Sequence, residues 1–211
     1  MILRLDDYPY CFDNEQLKIM NDVVKQFHSL PSKTMLGIIP FMFDQLYLTT
    51  QTHHELKNMR NIIPAIHGFT HGITKEKFNS AQYDEFHDNT EEEAALKFKE
   101  AKKILDSFFG KSNCTYIPPY SFLSPKIMDG IHNAGFKFIY SDIVDTYNDE
   151  RFKYVKSDLV TNVSNFHGST AKPYKVCVFN LQLEVNFILQ HGYEVWKSYF
   201  NRLRLYSLTV K

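Results

Sequence analysis

Two histidines four residues apart, His67 and His71, are the side chains in this sequence best suited to metal chemistry. They follow a short apolar run over residues 62–66. Neutral imidazole is the commonest protein ligand for a transition metal, and an i, i+4 pair can reach one ion from a single turn of backbone. Gly68 stands where the zinc motif H-E-x-x-H has its glutamate, so a catalytic base must come from elsewhere. The alternative is that each histidine is a surface or capping residue.

Tandem aspartates near the N-terminus, Asp6 and Asp7, are the carboxylates that could complete such a site. They follow residues 1–5, which are apolar apart from Arg4 and predict a short buried strand. Two adjacent carboxylates at a strand end are costly together unless a cation or a proton separates them. We therefore predict that they supply the acidic part of a metal site, with a turn or helix-capping pair as the alternative.

The bulk composition is that of an ordinary globular protein. The chain has 211 residues, of which 44% are hydrophobic and 23% charged, and we predict a single domain over residues 1–211. Its 24 basic and 24 acidic residues balance, and no long basic run is present, so we expect no nucleic-acid partner.

Cysteine usage and hydropathy predict the cellular compartment. The three cysteines are far apart and lack a C-x-x-C spacing, which favours reduced thiols over a disulfide framework. Charged residues crowd the N-terminus, and no apolar run approaches the roughly 18 residues of a membrane span. We expect a cytoplasmic protein with no transmembrane segment.

Apolar periodicity predicts strands that alternate with helices. Strands are predicted over residues 1–5, 34–39, 62–66, 114–117, 136–140 and 176–183, with a short one near 152–155. Helices are predicted from Asp13 or Asn14 to His28, over 51–59, from the Thr90 capping box to Gly110, from Ser124 to Gly135, and over 193–208. This alternation implies parallel strands with crossover helices, hence an α/β barrel, possibly incomplete.

In such barrels the working face lies at the C-terminal ends of the strands. Several polar residues fall at those predicted ends: Asp6, Asp7, His67, Tyr120, Asp142 and Glu184. His87, in a long polar loop, is a further candidate ligand.

Five stretches of this chain together resemble the polysaccharide deacetylase family, the NodB-homology group of carbohydrate esterases (family 4-like). Within it, the cytoplasmic polysaccharide deacetylase-like branch is the most similar. The stretches are Leu5-Asp6-Asp7, His67-Gly68-Phe69-Thr70-His71, Glu85-Phe86, Ile117-Pro118-Pro119-Tyr120 and Leu181-Gln182-Leu183-Glu184.

The resemblance implies a distorted (β/α)7 barrel and one divalent metal, most often zinc, with cobalt, nickel or ferrous iron as alternatives. Asp7, His67 and His71 would be its ligands, and Asp6 the general base. Substrate-binding residues would be Glu85, Pro119 and Tyr120. The implied substrate is an N-acetylated sugar, free or carried on a lipid or a nucleotide, from which an acetyl group is removed.

Two departures from the family pattern concern proton transfer. Glu184 stands where the family has the histidine that protonates the departing amine, so the implied acid is a glutamate. The third motif has no arginine to steady the base, although Arg4 shares a strand face with Asp6 by the two-residue period. A catalytically weak or inactive glycan-binding protein is therefore the alternative, followed by an unrelated barrel hydrolase or a barrel with structural histidines.

Overall fold

A computed structural model of the chain describes residues 1–11, 13–42, 45–46, 56, 59, 61–71, 85–86, 88–110, 114–142, 148–168 and 175–210. Most of the helix predicted over residues 51–59 lies outside these ranges, as does the candidate ligand His87. No helix in the described ranges is long and apolar enough to cross a membrane.

The described part of the chain contains ten strands and five α-helices. The strands are β1 (Ile2–Tyr8), β2 (Lys33–Ile38), β3 (Phe41–Met42), β4 (Gln45–Leu46), β5 (Ile62–His67), β6 (Thr115–Ile117), β7 (Phe138–Ser141), β8 (Lys153–Lys156), β9 (Asp158–Thr161) and β10 (Val176–Asn180). The helices are α1 (Asn14–His28), α2 (Glu91–Phe109), α3 (Met128–Asn133), α4 (Leu181–His191) and α5 (Tyr193–Thr209).

Eight of these strands form one sheet, in the order β8-β7-β6-β5-β2-β1-β10-β9. The pairings β1–β10, β10–β9, β5–β6, β6–β7 and β7–β8 are all parallel. The two edge strands, β8 and β9, are consecutive along the chain and separated only by Ser157. The α/β barrel class predicted from the sequence is confirmed.

The chain forms two compact units. The first comprises Met1–Gly37, His54–Ile63 and Ser157–Lys211, and the second Ile38–His53 and Pro64–Lys156. Each unit is assembled from segments that are separate in the sequence, so no single cut in the chain divides them. The prediction of one domain over residues 1–211 stays a prediction.

Each unit has its own core of aromatic rings. In the first, Phe27 of α1 lies 5.1 Å from Phe179 and 5.2 Å from Phe200, measured between ring centroids. In the second, Phe98 of α2 lies 5.2 Å from Tyr116 of β6. Buried aromatic pairs at such distances stabilise a core beyond the area that they bury.

The starts of α1 and α2 were predicted correctly, because capping residues have local hydrogen-bonding roles, whereas the helix predicted from Ser124 becomes α-helical only at Met128. The Asp13 side chain accepts a hydrogen bond from the backbone of Gln16 at 2.8 Å and begins α1. Thr90 and Glu93 form the predicted capping box at the start of α2, with bonds of 3.2 and 2.8 Å.

The prediction of a strand over residues 176–183 was wrong in its second half. β10 ends at Asn180, and α4 begins at Leu181. Leu181, Val185 and Ile188 are buried at helical spacing, whereas Leu183 is 41% exposed. Glu184 therefore lies in the first turn of a helix and not at a strand end.

The Glu184 carboxylate is completely buried and has a hydrogen-bond donor on each oxygen. The backbone N–H of Val163 donates to Oε1 at 2.8 Å, and the Trp196 indole N–H donates to Oε2 at 2.6 Å. Burial raises the pKa of the Glu184 carboxyl to about 8, against the smaller opposing effect of these two bonds. These contacts tie α4 to α5 and to the turn after β9.

The raised pKa of Glu184 predicts that stability falls with rising pH. Below about pH 4.5 the carboxyl is protonated in both states, whereas between 4.5 and about 8 the unfolded chain releases a proton that the folded chain keeps. We expect Glu184→Gln to lose this part of the pH dependence. The variant should also be destabilised at low pH by about 1–3 kcal/mol. The reason is that the NH2 group of its amide would lie against one of the two N–H donors, from Val163 or Trp196, that the carboxyl accepts from. Denaturant unfolding at pH 5 and pH 8 measures both effects.

The exposed Glu194 of α5 provides the matched control for this test. Glu194→Gln should show the same change in unfolding free energy between the two pH values as the wild type. If Glu184→Gln showed the same change in unfolding free energy between pH 5 and pH 8 as the wild type, the prediction would be contradicted.

Candidate metal centre

Asp7 is placed by an interruption in the geometry of β1. The strand runs on to Tyr8, so Asp6 and Asp7 lie within it, where side chains alternate between faces. Asp7 breaks the alternation because its φ is 66°, in the left-handed region. Its buried carboxylate accepts a hydrogen bond from the Nδ2 of Asn180 at the end of β10.

Asn180 is a residue of this site that sequence reasoning missed. Its Oδ1 accepts a hydrogen bond from the backbone of Leu183 at 3.0 Å and caps α4. With the oxygen fixed by the cap, the amide nitrogen faces Asp7. An Asn before a helical apolar pattern is a recognisable capping signal. The apolar alternation that continues from β10 to Leu183 hides this capping signal.

Asp6 is paired with Arg4 of the same strand. The guanidinium donates from Nε to Oδ1 at 2.8 Å and from Nη2 to Oδ2 at 2.5 Å, and both side chains are buried. Its Nη1 also donates to the Ser157 hydroxyl at 3.1 Å. The two-residue period predicted this shared face correctly. Such a fork fixes the orientation of the carboxylate and compensates its charge.

The hydrogen bonding of His67 sets which of its nitrogens can bind a metal. The buried ring has Nδ1 3.0 Å from the carbonyl oxygen of Ile117 in the neighbouring strand β6. A carbonyl can only accept, so Nδ1 carries the proton and Nε2 carries the lone pair. Orientation of a ligating histidine through its other nitrogen is the usual arrangement in metal sites.

His71 returns to His67 through a tight turn. Gly68 has φ +72° and His71 has φ 55°, and the two imidazole centroids are 4.8 Å apart. A Cβ at residue 68 would lie 2.1 Å from Oε2 of Glu85 and 2.6 Å from Cγ of Pro119. Both the backbone conformation and this close approach require glycine at position 68.

The side chain of Glu85 turns toward the backbone of this histidine loop. Its Oε1 accepts hydrogen bonds from the backbone N–H groups of Phe69 and Thr70, each at 2.6 Å. Burial raises the pKa of the Glu85 carboxyl, against opposing effects of these two bonds and of the nearby His67 and His71.

Tyr120 is the exposed member of the predicted substrate-binding set. Its ring centroid lies 4.9 Å from that of His71, its hydroxyl is 3.4 Å from His71 Nδ1, and the residue is 44% exposed. Its φ of 53° is also left-handed. Pro119, by contrast, is buried against Gly68.

The structure brings three of the predicted side chains together. One ligand atom from each of Asp7, His67 and His71 lies within 4.8 Å of the other two. Two imidazoles and one carboxylate are a common donor set of zinc sites with three protein ligands. The Nε2 lone pair of His67 and the carboxylate of Asp7 agree with that chemistry, so the residues fit a divalent metal.

The remaining predicted residues have other surroundings. Glu184 is held by Val163 and Trp196, and the prediction that it is the general acid stays a prediction that its contacts do not favour. Asp142 follows β7 directly, as expected, and its Oδ1 is buried with no hydrogen-bond partner in the described part of the chain.

No protein-family model matches this sequence. A search of curated proteins finds no matching relative.

Solved structures with this fold are found at low sequence identity. A chitin deacetylase from the fungal pathogen Colletotrichum lindemuthianum superposes with a TM-score of 0.54 at 11% identity, over 94% of this chain and 81% of its own. The Xyl-CE4 domain of a multidomain xylanase from the hindgut metagenome of Trinervitermes trinervoides gives 0.52 at 13% identity, over 93% and 82%.

A third similar structure is a peptidoglycan N-acetylglucosamine deacetylase, with a TM-score of 0.50 at 16% identity over 93% of this chain and 81% of its own. At these identities the likeness concerns the fold. The chain therefore has the fold of the family 4 carbohydrate esterases, which confirms at that level its resemblance to the polysaccharide deacetylases.

Proposed function

We propose that this chain is a metal-dependent hydrolase that removes an acetyl group from an N-acetylated sugar or glycan precursor. The observation that carries the proposal is the grouping of ligand atoms from Asp7, His67 and His71 within 4.8 Å. The fold supports it, because two of the similar structures are a chitin deacetylase and a peptidoglycan N-acetylglucosamine deacetylase.

Zinc is the metal that we expect, with cobalt, nickel or ferrous iron as alternatives. Imidazole and carboxylate donors suit all of these ions, and a set of three leaves further coordination positions open. A bound ion of this kind polarises a carbonyl oxygen and lowers the pKa of a water ligand from 15.7 toward about 7.

Asp6 is the proposed general base. The two hydrogen bonds from Arg4 fix the direction from which its carboxylate would accept a proton from the attacking water. Arg4 thus does from the same strand what the family's third-motif arginine would do.

The departing amine also needs a proton. Glu184 has a donor on each oxygen and no exposure to solvent, so we propose that its role is structural. Asp6 is protonated once it has accepted the proton of the water, and it can return that proton to the amine. One carboxyl group would then serve both steps in turn.

The substrate would meet Tyr120 first. The exposed ring beside His71 offers an apolar face against which a sugar ring can pack. Pro119 packs beside Gly68, and Glu85 accepts a hydrogen bond from the backbone of Phe69. Free, lipid-linked and nucleotide-linked N-acetylated sugars are all proposed substrates, because each carries the N-acetyl group that the site would hydrolyse.

A catalytically silent glycan-binding protein is the second candidate, favoured by the buried contacts of Glu184. Titration calorimetry with N-acetylated oligosaccharides, followed by assay of the same samples for acetate, separates the two functions. Binding without acetate release in the zinc-loaded protein would support the silent protein over the hydrolase.

Metal content should depend on His71. We expect His71→Ala to lower the affinity for zinc by at least 100-fold, because the set falls from three ligands to two. His167→Ala, which removes an exposed histidine, is the matched control and should bind zinc like the wild type. Competition with a chromophoric chelator measures both, and equal affinity in the two variants would refute the proposed site.

Acetate release should depend on Asp6. We expect Asp6→Asn to reduce kcat by about 10²–10⁴-fold, because the amide cannot accept the proton of water. Zinc binding should persist, since Asp6 is not among the three ligands. The assay is acetate release from a panel of small N-acetylated sugar conjugates. Activity in Asp6→Asn close to that of the wild type would remove Asp6 from the mechanism.

A further inference from the structure

We infer that Glu85 is a positioning residue, which binds the turn between His67 and His71 and thereby holds His71 in place to bind the metal. The inference rests on the proposed function, and it assigns to Glu85 a role in shaping the site rather than in touching the substrate. It is carried by the hydrogen bonds and packing of one carboxylate against one loop, all within the second compact unit.

Two backbone donors of the loop share a single acceptor. The N–H groups of Phe69 and Thr70 both donate to Oε1 of Glu85 at 2.6 Å, and the Thr70 hydroxyl lies 3.4 Å from the same atom. Successive N–H groups that converge on one oxygen require a bent backbone. A side-chain oxygen that accepts both N–H groups stabilises this bend.

The other oxygen of Glu85 packs closely against Gly68 of the loop. Oε2 is buried without a hydrogen-bond partner in the described residues and lies 2.1 Å from the place that a Cβ on Gly68 would occupy. Pro119 closes the other side of Gly68, at 2.6 Å from the same place. The turn is therefore held between Glu85 and Pro119.

His71 depends on this turn more than His67 does. His67 ends β5 and has its own bond to the Ile117 carbonyl, so the sheet orients it. His71 lies beyond the strand with φ 55°, a conformation that an L-residue adopts only where its surroundings impose it. Phe69 and Thr70, the residues that Glu85 holds, connect the two.

The test compares zinc affinity and loop protection in two variants of the full chain. Glu85→Ala should weaken zinc binding by about 10–100-fold, the usual effect of losing a group that orients a ligand. Glu85→Gln keeps an acceptor oxygen for Phe69 and Thr70, and should come within about tenfold of the wild type. Hydrogen exchange of these two amides in metal-free protein should be slow in the wild type and Glu85→Gln, and fast in Glu85→Ala.

The matched control is Glu93→Ala, which also removes a carboxylate that accepts a backbone N–H but does so at the start of α2. It should leave zinc affinity unchanged. A folded Glu85→Gln that binds zinc as weakly as Glu85→Ala would overturn the inference, as would wild-type affinity in Glu85→Ala. Absence of zinc binding in the wild type would overturn the proposed function. This inference would be overturned separately if the Phe69 and Thr70 amides were equally protected from hydrogen exchange in the wild type and in Glu85→Ala.

Discussion

Asp6 and Asp7 are adjacent, buried and both ionisable, and two neighbouring carboxylates removed from water repel each other unless each has its own partner. Arg4 neutralises Asp6 from two positions earlier in β1, and the amide of Asn180 donates to Asp7. The first is a full charge and the second only a dipole. A carboxylate that accepts a hydrogen bond from an amide can also bind a cation, which is what a metal ligand requires.

Left-handed backbone recurs wherever a polar side chain of this site is redirected. Asp7, His71 and Tyr120 all have φ between 53° and 66°, in a region that costs a non-glycine residue about 1–3 kcal/mol. Asp7 lies within the last residues of β1, and His71 and Tyr120 follow β5 and β6. Neighbouring hydrogen bonds offset the cost, from Asn180 to Asp7 and from the loop backbone to Glu85. Strain at three related positions favours a functional origin over an accident of packing.

The sequence predicted best what depends on near neighbours. Capping at Asp13 and Thr90 and the shared face of Arg4 and Asp6 involve residues two or three apart, and all are present in the structure. The histidine pair was also recognisable from its spacing. Asn180 was missed because its partner Asp7 is 173 residues away and because leucines at alternate positions after it resembled a continuing strand. The burial of Glu184 under Trp196 depends on packing between helices that no local pattern encodes.

The boundary between β10 and α4 decides which residue of the site can transfer a proton. If residues 181–184 were strand, Glu184 would be at its tip and could serve as an acid. Since the chain turns into a helix at Leu181, the tip is Asn180, and the carboxylate of Glu184 instead meets Trp196. An amide can orient Asp7 by donating a hydrogen bond, but it cannot release a proton near neutral pH. Proton transfer is then left to Asp6, whose carboxylate is held in a fixed orientation by Arg4.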